Sequence, residues 1–283
     1  LEETDKAAAC LRERARAITI ADMYASAVPR LVAASSGVAT ASAVAMLKVY
    51  QHERDVPGVA IPGTEAHLAV RFGPATDGGI DVHAMGGRQR VHRKVLRSGQ
   101  NVVMARLHLG ATEAVLGVPA SAIAGRIVAL DQLWGGAATQ RLLDGLAAAR
   151  SPSEAATLFE SVIAERFARG GGYGAQTRLV VAAAERLASA SVQAVAGALG
   201  VSERHLRRVF RETVGVGPKT FAKLTRFRRA VRAARAESHA SWATIAAAAG
   251  YYDQAHLISE FRAIAGVTPR ALLGELRAAH AIG

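Results

Sequence analysis

One cysteine, Cys10, occurs in the 283 residues, so no internal disulfide can form, and a reducing compartment, the cytoplasm, is expected. Aromatic residues make up only 5% of the chain, and acidic residues are outnumbered, 23 against 35 Lys and Arg. No run of 18 uncharged apolar residues occurs, so no membrane-spanning helix is expected. The nucleophile elbow Gly-x-Ser-x-Gly, the Walker loop and the Gly-x-Gly-x-x-Gly fingerprint are also missing, which leaves a catalytic reading with little support. Hydrophobic residues make up 51%, enough to pack a core, and alanine dominates, which favours helices. The length suits two domains of ordinary size.

The net charge of +12 is unevenly spread. Residues 175–283 carry 16 Lys and Arg against 7 Asp and Glu, so most of the excess lies in the last third. A basic third of this kind suits a polyanionic partner.

Within that third, Val192 to Gly215 reads as a helix-turn-helix. Val195, Ala196 and Leu199 give a first helix one apolar face. Gly200 can adopt the positive φ that ends it, and Ser202 can cap the next helix. Leu206, Val209 and Phe210 then share one face, and Arg204, Arg207, Arg208 and Arg211 the other. Such a helix fits the DNA major groove, where arginine bonds guanine O6 and N7 together. A solvated basic face is the plain alternative.

A second copy weighs against that alternative. Ile245, Gly250, Leu257, Phe261, Gly266, Val267 and Pro269 echo Val195, Gly200, Leu206, Phe210, Gly215, Val216 and Pro218. The offset is 50 before the turn and 51 after it, so one residue is inserted at Tyr251-Tyr252. Two such helices could enter successive major grooves on one DNA face. Between them, Pro218 to Glu237 reads as a central helix with Phe221, Leu224, Phe227 and Val231 along a buried stripe. Lys219, Lys223, Arg226, Arg228, Arg229, Arg232 and Arg235 surround that stripe.

The stretches GVSERHLRRVFRETVGVGPKTFAKLTRFRRA and IAAAAGYYDQAHLISEFRAIAGVTPRALL carry a specific order: Gly-aromatic-x-Asp-Gln-x-His-Leu, then Phe-Arg, then Gly-x-Thr-Pro. On these motifs residues 175–276 resemble the DNA-binding domain of AraC/XylS-type bacterial transcription regulators. The resemblance implies that Arg204, Arg207 and Arg208 meet base edges. Arg211, Lys219, Lys223, Arg262 and Arg270 are expected at phosphates. His205 is expected to pack beside the turn. In the second copy Asp253 should cap, Gln254 suits adenine, and Ala255 can touch only a thymine methyl. Ser259 stands where the family often carries Arg, and Ile258 where it often carries a small polar residue. Glu260 is expected to add a negative charge near the phosphates. Leu199, Gly200, Leu206, Phe210, Gly250, Leu257, Phe261 and Pro269 are the expected structural residues of the two units. The first unit is expected to dominate specificity.

Ahead of this region the texture differs. Residues 1–43 read as an uncertain leader, with 1–17 polar and helical and the rest patternless. From Val44 to Gly110, short β-type runs alternate with Gly, Pro and Asp clusters, which predicts a small, cupin-like β-barrel or half-barrel. Residues 111–169 read as helical. Leu133 to Arg150 forms an amphipathic helix with Leu133, Ala137, Leu142, Leu143 and Leu146 inward, and Ser151 caps the next. The segment LHLGATEAVLGVPASAIAGRIVALDQLWG resembles the sensor half that precedes many such DNA-binding domains. The triple glycine after Arg169 marks a linker over 170–174, and residues 277–283 a tail. The expected fold class is therefore α+β: a β-rich sensor domain with helices over 44–169, then an all-α domain with two helix-turn-helix units joined by a central helix.

His52, His67, His83, His92 and His108 invite a metal reading, but the His-x-His pair of the cupins is absent, and no metal or cofactor is expected. A metal-dependent barrel enzyme, or a DNA-repair methyltransferase fused to a DNA-binding module, is the alternative function. The second of these needs a Pro-Cys-His-Arg setting that Cys10 lacks. A non-specific nucleic-acid-binding protein is a third reading, from charge alone. The expected partners are double-stranded DNA and a small-molecule effector, with RNA polymerase and a second copy of the chain as further candidates.

Overall fold

The structure is a computed structural model, and it describes residues 42–51, 54–74, 76, 79–150, 152–236 and 241–281. The leader readings, Cys10, His52 and the capping role of Ser151 lie outside those residues.

The β-type runs form strands where the alternation placed them: β1 (Val44–Gln51), β2 (Val56–Ala60), β3 (His67–Phe72), β4 (Ile80–Met85), β5 (His92–Leu96) and β6 (Asn101–Leu107). A short β7 (Ile127–Ala129) has no counterpart in the sequence reading. Five strands make an antiparallel sheet in the order β1-β6-β3-β4-β7, and β2 pairs with β5 in a separate ribbon.

Period-two alternation sorts the large sheet into two faces. Leu68, Val70, Phe72, Val82, Ala84, Val103, Ala105 and Leu107 are buried on one. They pack against Leu142 and Leu146 of α4 (Gly136–Ala148) and Phe159, Ile163 and Phe167 of α5 (Pro152–Arg169). His67, Met85 and Met104 stand on the other face, opposite the ribbon.

The α+β class holds, but the barrel is not closed. β2 and β5 bond to each other and to neither edge strand of the large sheet. The reason lies in what the ribbon packs on: Val59 and Ile61 are buried in the core of the helical region, with Leu224, Phe227, Ile264 and Leu273. A ribbon committed to that core cannot curl back to complete a barrel.

The helix expected over 133–150 is broken. Asp131–Trp134 is a short helix, α3, and Gly135 (φ +80°) interrupts it before α4 begins. Leu142 and Leu146 are buried as expected. Ala137 is exposed, and Thr139 occupies the buried face instead. Two further short helices, α1 (Thr112–Leu116) and α2 (Ala120–Ile123), precede β7.

After the turn at 170–174 come α6 (Ala175–Arg186), α7 (Val192–Ala198), α8 (Glu203–Val214), α9 (Pro218–Ala236), α10 (Trp242–Ala249), α11 (Gln254–Ala265) and α12 (Pro269–Ala281). The last runs well into the segment expected to be a tail. Two cores form here. Val180, Val195, Leu206, Val209 and Phe210 close the first, and Leu224, Phe227, Ile245, Leu257, Phe261 and Leu272 the second. The central helix α9 contributes Leu224 and Phe227 to the second and, through half-buried Phe221, an edge-on contact to Phe210 of the first (5.6 Å).

The β-rich and helical regions are in direct contact. Helix α2 packs against α8, where a Cβ on Gly215 would lie 3.1 Å from the Ala120 carbonyl oxygen. Thr177 Oγ1 donates to the Gly110 carbonyl (3.3 Å). At the ribbon, the Val91 amide donates to the Ile264 carbonyl (3.0 Å), and Arg93 pairs with Glu275 (2.8 Å).

Candidate nucleic-acid interface and adjoining cavity

Each helix-turn-helix is built by the same local chemistry. Gly200 (φ +66°) and Gly250 (φ +86°) take left-handed backbone at the turn, which a side chain would disfavour. The Val201 amide then returns to the Ala196 carbonyl (3.0 Å), and the Tyr251 amide to the Ala246 carbonyl (2.9 Å). Ser202 Oγ accepts from the His205 amide (3.2 Å), and Asp253 Oδ1 from the His256 amide (2.7 Å), so each second helix starts capped.

Leu206 and Leu257 are fully buried, as are Phe210 and Phe261, and Leu199 is half-buried. Pro269 is buried at the start of α12. On the opposite face of α8, Arg204, Arg207, Arg208 and Arg211 are exposed. They are not equivalent. Arg207 pairs with Glu203, and Arg208 with Glu212 (3.0 Å), each one turn away, while His205 Nδ1 lies 3.4 Å from Arg208 Nη2. Arg204 and Arg211 form no salt bridge among the described residues. Exposed pairs of this kind are worth only about 0.3–0.5 kcal/mol, so a phosphate or a guanine can displace the carboxylate.

In the second unit Gln254, Ala255 and Ser259 are exposed on α11, and Arg262 and Arg270 are exposed beyond them. Lys219 is exposed on α9 and Lys223 half-buried. Glu260 departs from its expected place near the phosphates. It is buried and receives Arg226 Nη2 at 2.8 Å, with His256 Nε2 3.5 Å away. Arg226 also lies over the Tyr251 ring (5.6 Å), whose phenol burial pushes up, helped by Glu260. Arg226 and Glu260 are thus parts of the core that fastens α9 to α11.

The central helix gives up a second arginine in the same way. Arg228 Nη1 donates to both oxygens of Glu65, at 2.9 and 3.0 Å. Burial alone would raise the Glu65 carboxyl. Arg228 outweighs it by charge and hydrogen bonding, and the group sits at about 2. Sequence reasoning could not find this pair, because its members are separated by most of the fold and no spacing links them.

Glu65 also lines a cavity of about 110 Å³ between the ribbon and the large sheet. Its walls include Val59, Ile61, Met85, Leu96, Val102 and Met104. Its polar residues are Glu65, His67, Arg88, Arg90 and Lys94. Burial holds the His67 imidazole down at about 4, against the opposing pull of Glu65, and His67 Nε2 is buried without a hydrogen-bond partner. Burial, then Arg88 and Arg71, also lowers the Lys94 ammonium, although the residue as a whole is exposed. Among the described residues, no group of three His, Cys, Asp or Glu that could hold a metal is present.

Paired helix-turn-helix units with an arginine-rich recognition face define a DNA-binding transcription regulator. Residues 195–275 match the family model described as a helix-turn-helix domain, and this part of the chain is an AraC-type helix-turn-helix domain. No curated protein matches the chain. Among solved structures, the chain is similar to ToxT from Vibrio cholerae at 10% identity. The alignment covers 82% of this chain and 97% of an apo form of a ToxT point variant, with a TM-score of 0.41. It is similar also to ToxT with a bound unsaturated fatty acid, at 9% identity over 81% of this chain and 94% of that one, TM-score 0.39. No helix among the described residues is long and apolar enough to cross a membrane.

Proposed function

We propose that this chain is a sequence-specific DNA-binding regulator whose β-rich region, residues 44–169, controls residues 175–276 according to what fills the cavity. Arg204, Arg207 and Arg208 read bases from the first unit, and Gln254, Ala255 and Ser259 from the second. Arg211, Lys219, Lys223, Arg262 and Arg270 hold phosphates. The reading needs no second copy of the chain, since both reading helices lie in one.

The observation that carries the control is the position of Glu65, which lines the cavity and bonds the central helix through Arg228. A ligand there touches the same carboxylate that ties the two regions together. The walls call for a small apolar body, since 110 Å³ is of the order that holds a benzene-sized group. The charge calls for an acid: Glu65 is matched by Arg228, which leaves Arg88, Arg90 and Lys94 in excess around the opening. Unpartnered His67 Nε2 offers one further polar anchor.

Benzoate, hexanoate and the neutral benzyl alcohol are suitable probes on the full chain. The two acids should raise the thermal midpoint and change DNA affinity, the alcohol should do neither, and Lys94→Met should abolish the response. Failure of every small acid to bind contradicts the proposed control and leaves DNA binding itself untouched.

A further inference from the structure

The two helix-turn-helix units differ by one residue, and the structure identifies it. Val201 and Tyr251 make the same backbone return at the turn, to Ala196 and Ala246. Ser202 and Asp253 make the same cap, to the amide three residues on. Val201 is followed at once by its cap, but Tyr252 stands between Tyr251 and Asp253. Tyr252 is therefore the inserted residue. It is 94% exposed, while its neighbour Tyr251 is 5% exposed in the core. The chain has only five tyrosines, and this one is left in solvent immediately before the second recognition helix.

That position is where a recognition helix comes closest to DNA, since its N-terminal residues enter the groove first. The first turn of α8 brings Arg204 there. The first turn of α11 has no cation to match it: Asp253 is spent on the cap, and His256 is turned toward Glu260 and Tyr251. What the second unit presents in place of a cation is a phenol, with an apolar ring and a hydroxyl that can donate.

We propose that Tyr252 is a DNA contact of the second unit, its hydroxyl donating to a backbone phosphate and its ring packing on the adjoining sugar. The proposal rests on the DNA-binding reading and adds to it a neutral anchor. Such an anchor compensates for the missing arginine without adding charge. It has a signature that a lysine or arginine contact lacks. Losing it weakens binding but leaves the slope of log affinity against log salt unchanged, because no counterion-releasing group is removed.

The test uses the full chain and a duplex that it selects from random sequence, together with the same duplex cut back to the first half-site. Tyr252→Ala should weaken binding to the whole duplex about tenfold at unchanged salt slope, and Tyr252→Phe about threefold. Both variants should bind the shortened duplex as the parent does. Because the side chain is exposed, the thermal midpoint should not move. Equal affinity of Tyr252→Ala and parent for the whole duplex, as expected if this tyrosine docks a protein, overturns the proposal. So does a loss that persists on the shortened duplex. A chain that selects no duplex at all overturns the DNA-binding reading itself, and the outcomes are thereby distinguished.

Discussion

Arg228 holds both carboxylate oxygens of Glu65 from 163 positions away in the sequence, with side chains only 11% and 12% exposed. Removing one partner leaves the other charge buried without its ion pair. Arg228→Met should therefore destabilise the full chain by about 3–5 kcal/mol in denaturant unfolding. The double variant Glu65→Leu/Arg228→Met should recover most of that loss, since the desolvation cost goes with the charges. A double variant no better than the single one would show that the pair is not the source of the effect.

Acid should weaken the fold in a defined window. The His67 imidazole is held at about 4 in the folded chain, below its ordinary 6.5. Between those values the unfolded chain binds more protons than the folded one, so stability falls as pH drops from about 6.5 toward 4. The full difference corresponds to about 3 kcal/mol at most. His67→Phe should flatten the profile in this window while leaving the loss below pH 4.5, which Glu65 contributes as it protonates toward about 2.

Two glycine replacements should act in opposite directions. A Cβ on Gly86 would fall 1.9 Å from the Ile123 carbonyl oxygen and 2.5 Å from its carbon, backbone that no side-chain rotation can clear. Gly86→Ala should cost several kcal/mol or prevent folding. Gly197 is exposed on α7 with nothing within 4 Å of an added Cβ, and Gly197→Ala should stabilise by about 0.5–1 kcal/mol. Thermal unfolding of the two variants beside the parent checks both signs.

Arg204 is exposed and forms no salt bridge among the described residues, so it should act on DNA most directly. Arg204→Ala should cost about 1–3 kcal/mol and relax preference at one base position. Arg211→Ala should weaken all duplexes alike and reduce the salt slope by about one. Titrations against the selected duplex and a random one, at several salt concentrations, separate the two effects.

The parts of this fold that local chemistry dictates were readable in the sequence. Gly200, Ser202 and Leu206 each specify their own place in a turn, a cap and a core, and the repeat at 50 to 51 residues doubled the signal. The six longer strands were readable because their runs alternate. β7 was not, because three residues carry no period. The break at Gly135 was hidden by an apolar pattern that continues across it. Glu260, Arg226 and Arg228 misled for a different reason. A charged residue on a helix looks solvated until the opposing element is known, and Glu65 lies in a loop far upstream. The open barrel has the same origin, since only the tertiary fold shows that Val59 and Ile61 belong to the helical core.

Selection of bound duplexes from random sequence by the full chain, with every base position scored, tests the DNA reading most directly. Two half-sites about one helical turn, 10 to 10.5 base pairs, apart are expected. The sharper preferences should fall in the half contacted by Arg204, Arg207 and Arg208. A single half-site, or enrichment of no sequence over bulk duplex, would contradict it.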